Sequence, residues 1–274
     1  MNEFNKLFNS IKAEDSLKQN TKEFVYNSIV NNKTDKTIRK GSYFMKKLII
    51  AACSIIVLGI AAVGGYIYYK TPVNYVSLDI NPSVELGINS LDHVVSVVAA
   101  NEDGQNLVDE KNVTNMKIKD AVNELVQEAV EQDYIKDDGS SVISITAESE
   151  NEDKASELQN KSNQGVNLAM SAKKTYAALY SDCSDLSLRR EAKEMNLSPG
   201  KYKLIKMLQT LDPTINIEDY KNAKVHEIIS KANEIIKNTN LANVNTDDEM
   251  QEITKKIKSV SNEVKEAKNN AEKK

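Results

Sequence analysis

From Leu48 to Tyr69 the chain reads LIIAACSIIVLGIAAVGGYIYY, 22 residues without one charge. A helix of that length reaches about 33 Å, against about 30 Å for the hydrocarbon core of a bilayer. Lys46 and Lys47 precede the run, Tyr66, Tyr68 and Tyr69 close it, and Lys70 comes next. A signal peptide would be N-terminal with a shorter apolar region, and a buried core helix seldom runs so far without a charge. The stretch therefore predicts a single transmembrane helix over 46–70. Basic residues crowd its N-terminal side, at Lys33, Lys36, Arg39, Lys40, Lys46 and Lys47, whereas after Lys70 the next is Lys111. By the positive-inside rule the N-terminus is expected in the cytoplasm and the rest outside, as in a single-pass protein of the cell membrane.

Residues 1–45 are then a short cytoplasmic piece. Phe4, Leu7, Phe8 and Ile11 recur at helical spacing, and so do Leu17, Phe24, Val25 and Ile29. A piece this small cannot bury both stripes by itself. It is expected to bind a partner through them, either another protein or the inner membrane surface, with 33–45 as a linker to the membrane.

Beyond Lys70 the pattern predicts an α+β domain over 71–182. Alternating apolar residues mark strands at about 74–80, 83–88, 93–100 and in SVISITAES, while TNMKIKDAVNELVQEAVEQDY and a long segment from about 152 to 181 read as helices. The expected fold class is α+β: a transmembrane helix, a small antiparallel sheet with helices packed on one face, and a helical C-terminal region. In the helical extension, 183–240, Ser198 is a fitting N-cap with Pro199 in the first turn, and Pro213 stops that helix. The last part, 241–274, carries a stripe from Met250 through Ile257, Val260 and Ala267 on a highly charged helix or frayed tail.

Several functions are disfavoured. With 40 acidic against 36 basic residues, direct nucleic-acid binding is not expected. Cys53 falls in the apolar run and Cys183 far beyond it, no CxxC spacing occurs, and His93 and His226 have no Cys or His nearby. No metal or cofactor is therefore expected. There is no Walker loop, GxGxxG, GxSxG or Ser-His-Asp pattern, so the chain is not expected to be an enzyme acting on other molecules.

The chemistry concentrates in YVSLDINPSVELGIN, residues 75–89. Pro82 has no N–H for the next residue's usual attack on an asparagine side chain. What remains is the Asn81 amide nitrogen attacking its own backbone carbonyl, closing a succinimide and expelling the prolyl nitrogen. A fold that strains the Asn81–Pro82 bond would speed this. Asp79 or Ser83 could orient the amide or donate to the developing oxyanion. Spacing alone favours a simple bend, because Asn-Pro is common in turns.

The apolar helix followed by YVSLDINPSVELGIN and VVSVVAANEDG, with REAKEMNLSPGKYKLIKML further on, resembles RsgI-type membrane anti-sigma factors over about residues 70–210. The resemblance implies a SEA-like domain that cuts itself between Asn81 and Pro82, the pieces staying paired. It implies an N-terminal segment that sequesters an alternative sigma factor. An extracellular signal would remove the outer fragment, and an intramembrane protease would then cut the membrane helix. Two features depart from the family: the first 45 residues are helical rather than β-rich, without an HxxxCxxC signature, and the C-terminal region lacks an aromatic sugar platform. The alternative is a bitopic envelope tethering or structural protein with an uncut outer domain.

Overall fold

The computed structural model describes residues 15–30, 42–239 and 248–274, and within the helix over 42–70 the side chains of 53–54 and 57–70. The chain divides into two compact units, Met1–Ala62 and Val63–Lys274. In the first, α1 spans Asp15–Val30 and has no buried residue. Phe4, Leu7, Phe8 and Ile11 lie outside the described residues.

Helix α2 spans Ser42–Lys70. The expected transmembrane span is not found: among the described residues no helix is long and apolar enough to cross a membrane. Toward its C-terminal end α2 is diluted by Gly59, Gly64, Gly65, three tyrosines and Lys70. The C-terminal end of α2 belongs to the second unit and is hydrogen-bonded within it: Asn89 Nδ2 donates to the Tyr69 carbonyl at 2.8 Å, and Lys70 Nζ to Asn115 Oδ1 at 3.1 Å.

The second unit is built on a five-stranded sheet in the order β3-β2-β1-β4-β5. Strands β1 (Asn74–Asp79), β2 (Ser83–Ile88) and β3 (Val94–Ala99) match the period-2 alternation of the sequence. Helices α3 (Glu102–Glu110) and α4 (Ile118–Glu131) lead to β4 (Val142–Glu148). Helix α5 (Glu152–Lys173) then crosses to β5 (Ala178–Ser184). The β4–β5 pair is parallel while the other pairs are antiparallel, so the sheet is mixed and not the antiparallel one expected. The difference arises at Lys174. That residue turns left-handed at φ 52° and ends α5, where the sequence pattern reads as helix to about 181. A parallel neighbour needs such a crossover, and α5 supplies it.

Alternation sends the two faces of the sheet to different cores. Val76, Leu78, Ile80, Val84, Leu86, Ile143 and Ile145 pack with α4 and α5 in one apolar core. The opposite face is also covered, not left open. Helices α6 (Leu188–Glu194), α7 (Pro199–Leu211), α8 (Ile217–Tyr220), α9 (Val225–Asn238) and α10 (Asp248–Ala271) come after β5. They form a second core with Val142, Ala178 and Tyr180, to which α10 contributes Ile257 and Val260. Glu263 of α10 accepts the Leu179 N–H at 3.1 Å, covering the β5 edge that would otherwise offer unpaired backbone groups.

Candidate functional site

Three residues, Ile80, Asn81 and Pro82, join β1 to β2, with Asp79 facing Ser83 across the last rung of the ladder. The apolar Ile80 side chain drops into the first core and Pro82 is buried. The turn closes on itself through the Ile80 N–H, which donates to the Pro82 carbonyl at 2.8 Å. Asn81 takes the positive φ this demands, 145°. The other described non-glycine residues with positive φ, Asp92, Asn115, Asp133, Lys174 and Asn196, lie between 52° and 69°. That is the left-handed basin which short polar residues tolerate. Asn81 is well outside it, in a region nearly reserved for glycine, at a cost on the order of 1–3 kcal/mol.

Both flanks of the Asn81–Pro82 bond are anchored, so the turn cannot relax by shifting either strand. Upstream, the Val225 N–H at the start of α9 donates to the Ile80 carbonyl at 3.3 Å, and the β1 ladders hold the residues before it. Downstream, Asn101 caps α3 by accepting from Gly104 N–H at 2.8 Å and also accepts from Ser83 N–H at 3.0 Å. The Ser83 carbonyl accepts from Ala100 N–H at 2.9 Å. Gly104 is what lets α3 approach this closely: a Cβ there would lie 2.2 Å from the Ser83 carbonyl oxygen.

The half-buried Asn81 side chain lines a cleft of about 440 Å³ shared with Ser83, Asn101, Asp103, Ser198 and Lys201. Its Nδ2 donates to Asp103 Oδ2 at 3.0 Å, and Tyr134 Oη donates to the other oxygen of that carboxylate at 3.2 Å. Asp103 and Tyr134 are more than twenty and fifty positions downstream, and no local spacing points to either.

Asp79, expected from its neighbouring position to orient the amide, is turned the other way. It is wholly buried beneath the N-terminus of α7, where Ser198 Oγ donates to its Oδ1 at 2.5 Å. Burial pushes the Asp79 carboxyl up to about 6, against the pull of Ser198, Ser83 and Lys201. Burial likewise pushes the Lys201 ammonium down, while Asp79 and Glu227 draw it back up. Gly200 makes this docking possible, since a Cβ on it would lie 2.4 Å from Asp79 Oδ2 and 2.9 Å from Ser77 Cβ. Further along the same face Arg189 forks onto Glu85, with both contacts at 2.8 Å, and lies 3.3 Å above the Tyr75 ring. Burial pushes Glu148 beside it up to about 8, with Arg189 opposing.

Residues 73–207, the part of the chain that carries this hairpin and its supports, match the family described as the anti-sigma factor RsgI-like central domain. Through this domain the chain belongs to the RsgI-like family. Among the relatives of this RsgI-like chain, anti-sigma-I factor RsgI7 of Acetivibrio thermocellus is 30% identical over 205 residues, covering 74% of this chain and 37% of the relative. Anti-sigma-I factor RsgI6 of the same organism is 30% identical over 66% of this chain and 25% of its own length. Anti-sigma-I factor RsgI of Bacillus subtilis is 27% identical over 47% of this chain and 33% of its own. The chain thus spans roughly a quarter to two fifths of the length of the curated relatives it matches.

The partner-binding stripe expected from the sequence falls in the other unit. Leu17, Phe24, Val25 and Ile29 lie on α1 and are exposed, Phe24 at 72% and Ile29 at 67%. Among the described residues no cluster of His, Cys, Asp or Glu is arranged to hold a metal ion.

Proposed function

We propose that this RsgI-like chain is an anti-sigma factor whose central domain cuts itself between Asn81 and Pro82. The observation that carries the cleavage is the φ of 145° at Asn81, a strained asparagine immediately before a proline and anchored on both sides. Relief of about 1–3 kcal/mol on reaching the transition state would speed the cut by roughly one to two powers of ten. The succinimide route needs only atoms of Asn81 and the leaving prolyl nitrogen. The partner is a sigma factor, in keeping with the names of the relatives, and α1 offers it the uncovered Leu17, Phe24, Val25 and Ile29. Release of the partner is assigned to withdrawal of the severed β1 strand from the sheet in response to a signal.

One experiment tests both halves. The chain and its Asn81→Ala variant are expressed beside a reporter driven by the cognate sigma factor, and fragments are weighed under denaturing conditions. The wild type should give two pieces divided at Asn81–Pro82 and a reporter that the signal can switch on. The variant should stay whole and keep the reporter off. A wild type that remains in one piece overturns the cleavage, and a reporter indifferent to deleting the chain overturns the sigma-factor role, leaving a structural tether as the better reading.

A further inference from the structure

An amide nitrogen is a poor nucleophile because its lone pair is delocalised into the carbonyl. It gains nucleophilicity only as one of its protons leaves, so the reaction turns on what receives that proton. The Asn81 amide has one carboxylate in hydrogen-bonding contact, Asp103 Oδ2 at 3.0 Å from Nδ2. Two features hold that carboxylate in place. Its second oxygen accepts from Tyr134 Oη at 3.2 Å. Its backbone lies in the first turn of α3, fixed by the Asn101 cap that also grips Ser83. Tyr134 is itself set by its N–H, which donates to the Ala129 carbonyl at the end of α4 at 2.9 Å.

We propose that Asp103 is the base that takes the proton from Asn81 Nδ2 as that nitrogen attacks the Asn81 carbonyl carbon. The proposal rests on self-cleavage at Asn81–Pro82. The bond from Nδ2 to the carbonyl carbon forms and closes a five-membered ring, and the bond from that carbon to the Pro82 nitrogen breaks. One proton passes from Nδ2 to Asp103, and the departing prolyl nitrogen takes one up from Asp103 or from water in the adjoining cleft. The products are a C-terminal succinimide at residue 81 and a secondary amine at Pro82, with no oxidant, reductant or cofactor consumed. Asp103 touches the reacting atom and is a catalytic residue. Tyr134 acts through it and is a positioning residue. Asp79 accepts from Ser198 under α7 through Oδ1, and it is Asp103, not Asp79, that accepts from Asn81 Nδ2.

The test is a time course of cleavage of the full chain made by cell-free synthesis, read by intact mass under denaturing conditions. Wild type is compared with Asp103→Asn, Asp103→Glu and Tyr134→Phe, and thermal unfolding of each is measured alongside. Asp103→Asn should slow cleavage about a hundredfold or more, the low end of what a positioned base contributes. Asp103→Glu should restore part of the rate, and Tyr134→Phe should cost about three- to tenfold. An N-terminal fragment one water lighter than the free acid would mark the succinimide. If Asp103→Asn is cut as fast as wild type, the assignment of the base is overturned and self-cleavage stands. If Asp103→Asn and Asp103→Glu are equally slow and both unfold earlier than wild type, the role of Asp103 is structural and the assignment is again overturned. A wild type that is never cut overturns self-cleavage and the assignment together.

Discussion

At the centre of the sheet residues on both faces are withdrawn from water, but by opposite means. On one, Val76, Leu78, Leu86, Ile143 and Ile145 are fully buried against α4 and α5; on the other, Ser77, Asp79, Ser144, Thr146 and Glu148 are buried as completely near α6 and α7. An apolar face gains about 25 cal/mol for each Å² removed from water and demands nothing of geometry beyond fit. A polar face gains only where each group finds a partner, and among the described residues the hydroxyls of Ser144 and Thr146 have none. Of the two sets of central-strand residues, the apolar one therefore supplies more of the stability. The polar face fixes where α7 sits and makes its docking sensitive to protonation.

That contrast can be broken or sharpened in the Asn81→Ala background, where no self-cleavage is expected. The largest effect should come from Leu78→Ala on the apolar face, a loss of about 2–5 kcal/mol by denaturant unfolding. A loss below about 1 kcal/mol would show that this face is not the larger source of stability. Next should be Gly200→Ala, with a loss of about 1–3 kcal/mol. Alanine is the better helix former by about 1 kcal/mol, but its Cβ meets Asp79, which is buried and held by Ser198 and so cannot swing aside. A stabilised variant would mean that α7 docks less tightly than the geometry indicates.

The smallest effect should be a change in pH slope. The folded-state carboxyl of Asp79 is raised from 3.8 to about 6, so the folded chain binds more protons than the unfolded one between those values. Its contribution to stability is complete below about pH 4, falls as pH rises toward 6, and is flat above that. Asp79→Asn should remove this fall, on the order of 2 kcal/mol, when the difference from its parent is tracked from pH 4 to 7. Parallel curves would place Asp79 in a wetter setting than the one described.

Much of the apolar face was legible in the sequence, because its strands alternate cleanly and a period of two admits one reading for Val76, Leu78, Ile80 and Val84, Leu86, Ile88. Ser198 and Pro199 likewise announced the start of α7. The polar face was not legible. Buried serines, threonines and carboxylates look like a solvated surface until the helix that covers them is in place, so helices were expected on one side only. β5 was hidden for a local reason: α5 ends on Lys174 in the left-handed conformation, with no glycine or proline to mark the stop. Within the site, Asn81 and Pro82 stood out because their chemistry is carried by adjacent residues. Asp103 did not, because its relation to Asn81 exists only once α3 has folded back onto Ser83.

The strand order carries one more consequence. The earliest strand of the domain lies in the middle of the sheet, flanked by β2 and β4, both of which come after Pro82. A severed β1 would thus be a tongue six residues long seated in a slot, joined covalently only at its α2 end. Tension applied there runs along the strand and loads the rungs on both sides together, as in a lap joint pulled lengthwise, instead of opening them one after another. Such a joint holds under modest load and parts as a unit, which would give a domain cut at Asn81–Pro82 a threshold in place of a graded leak.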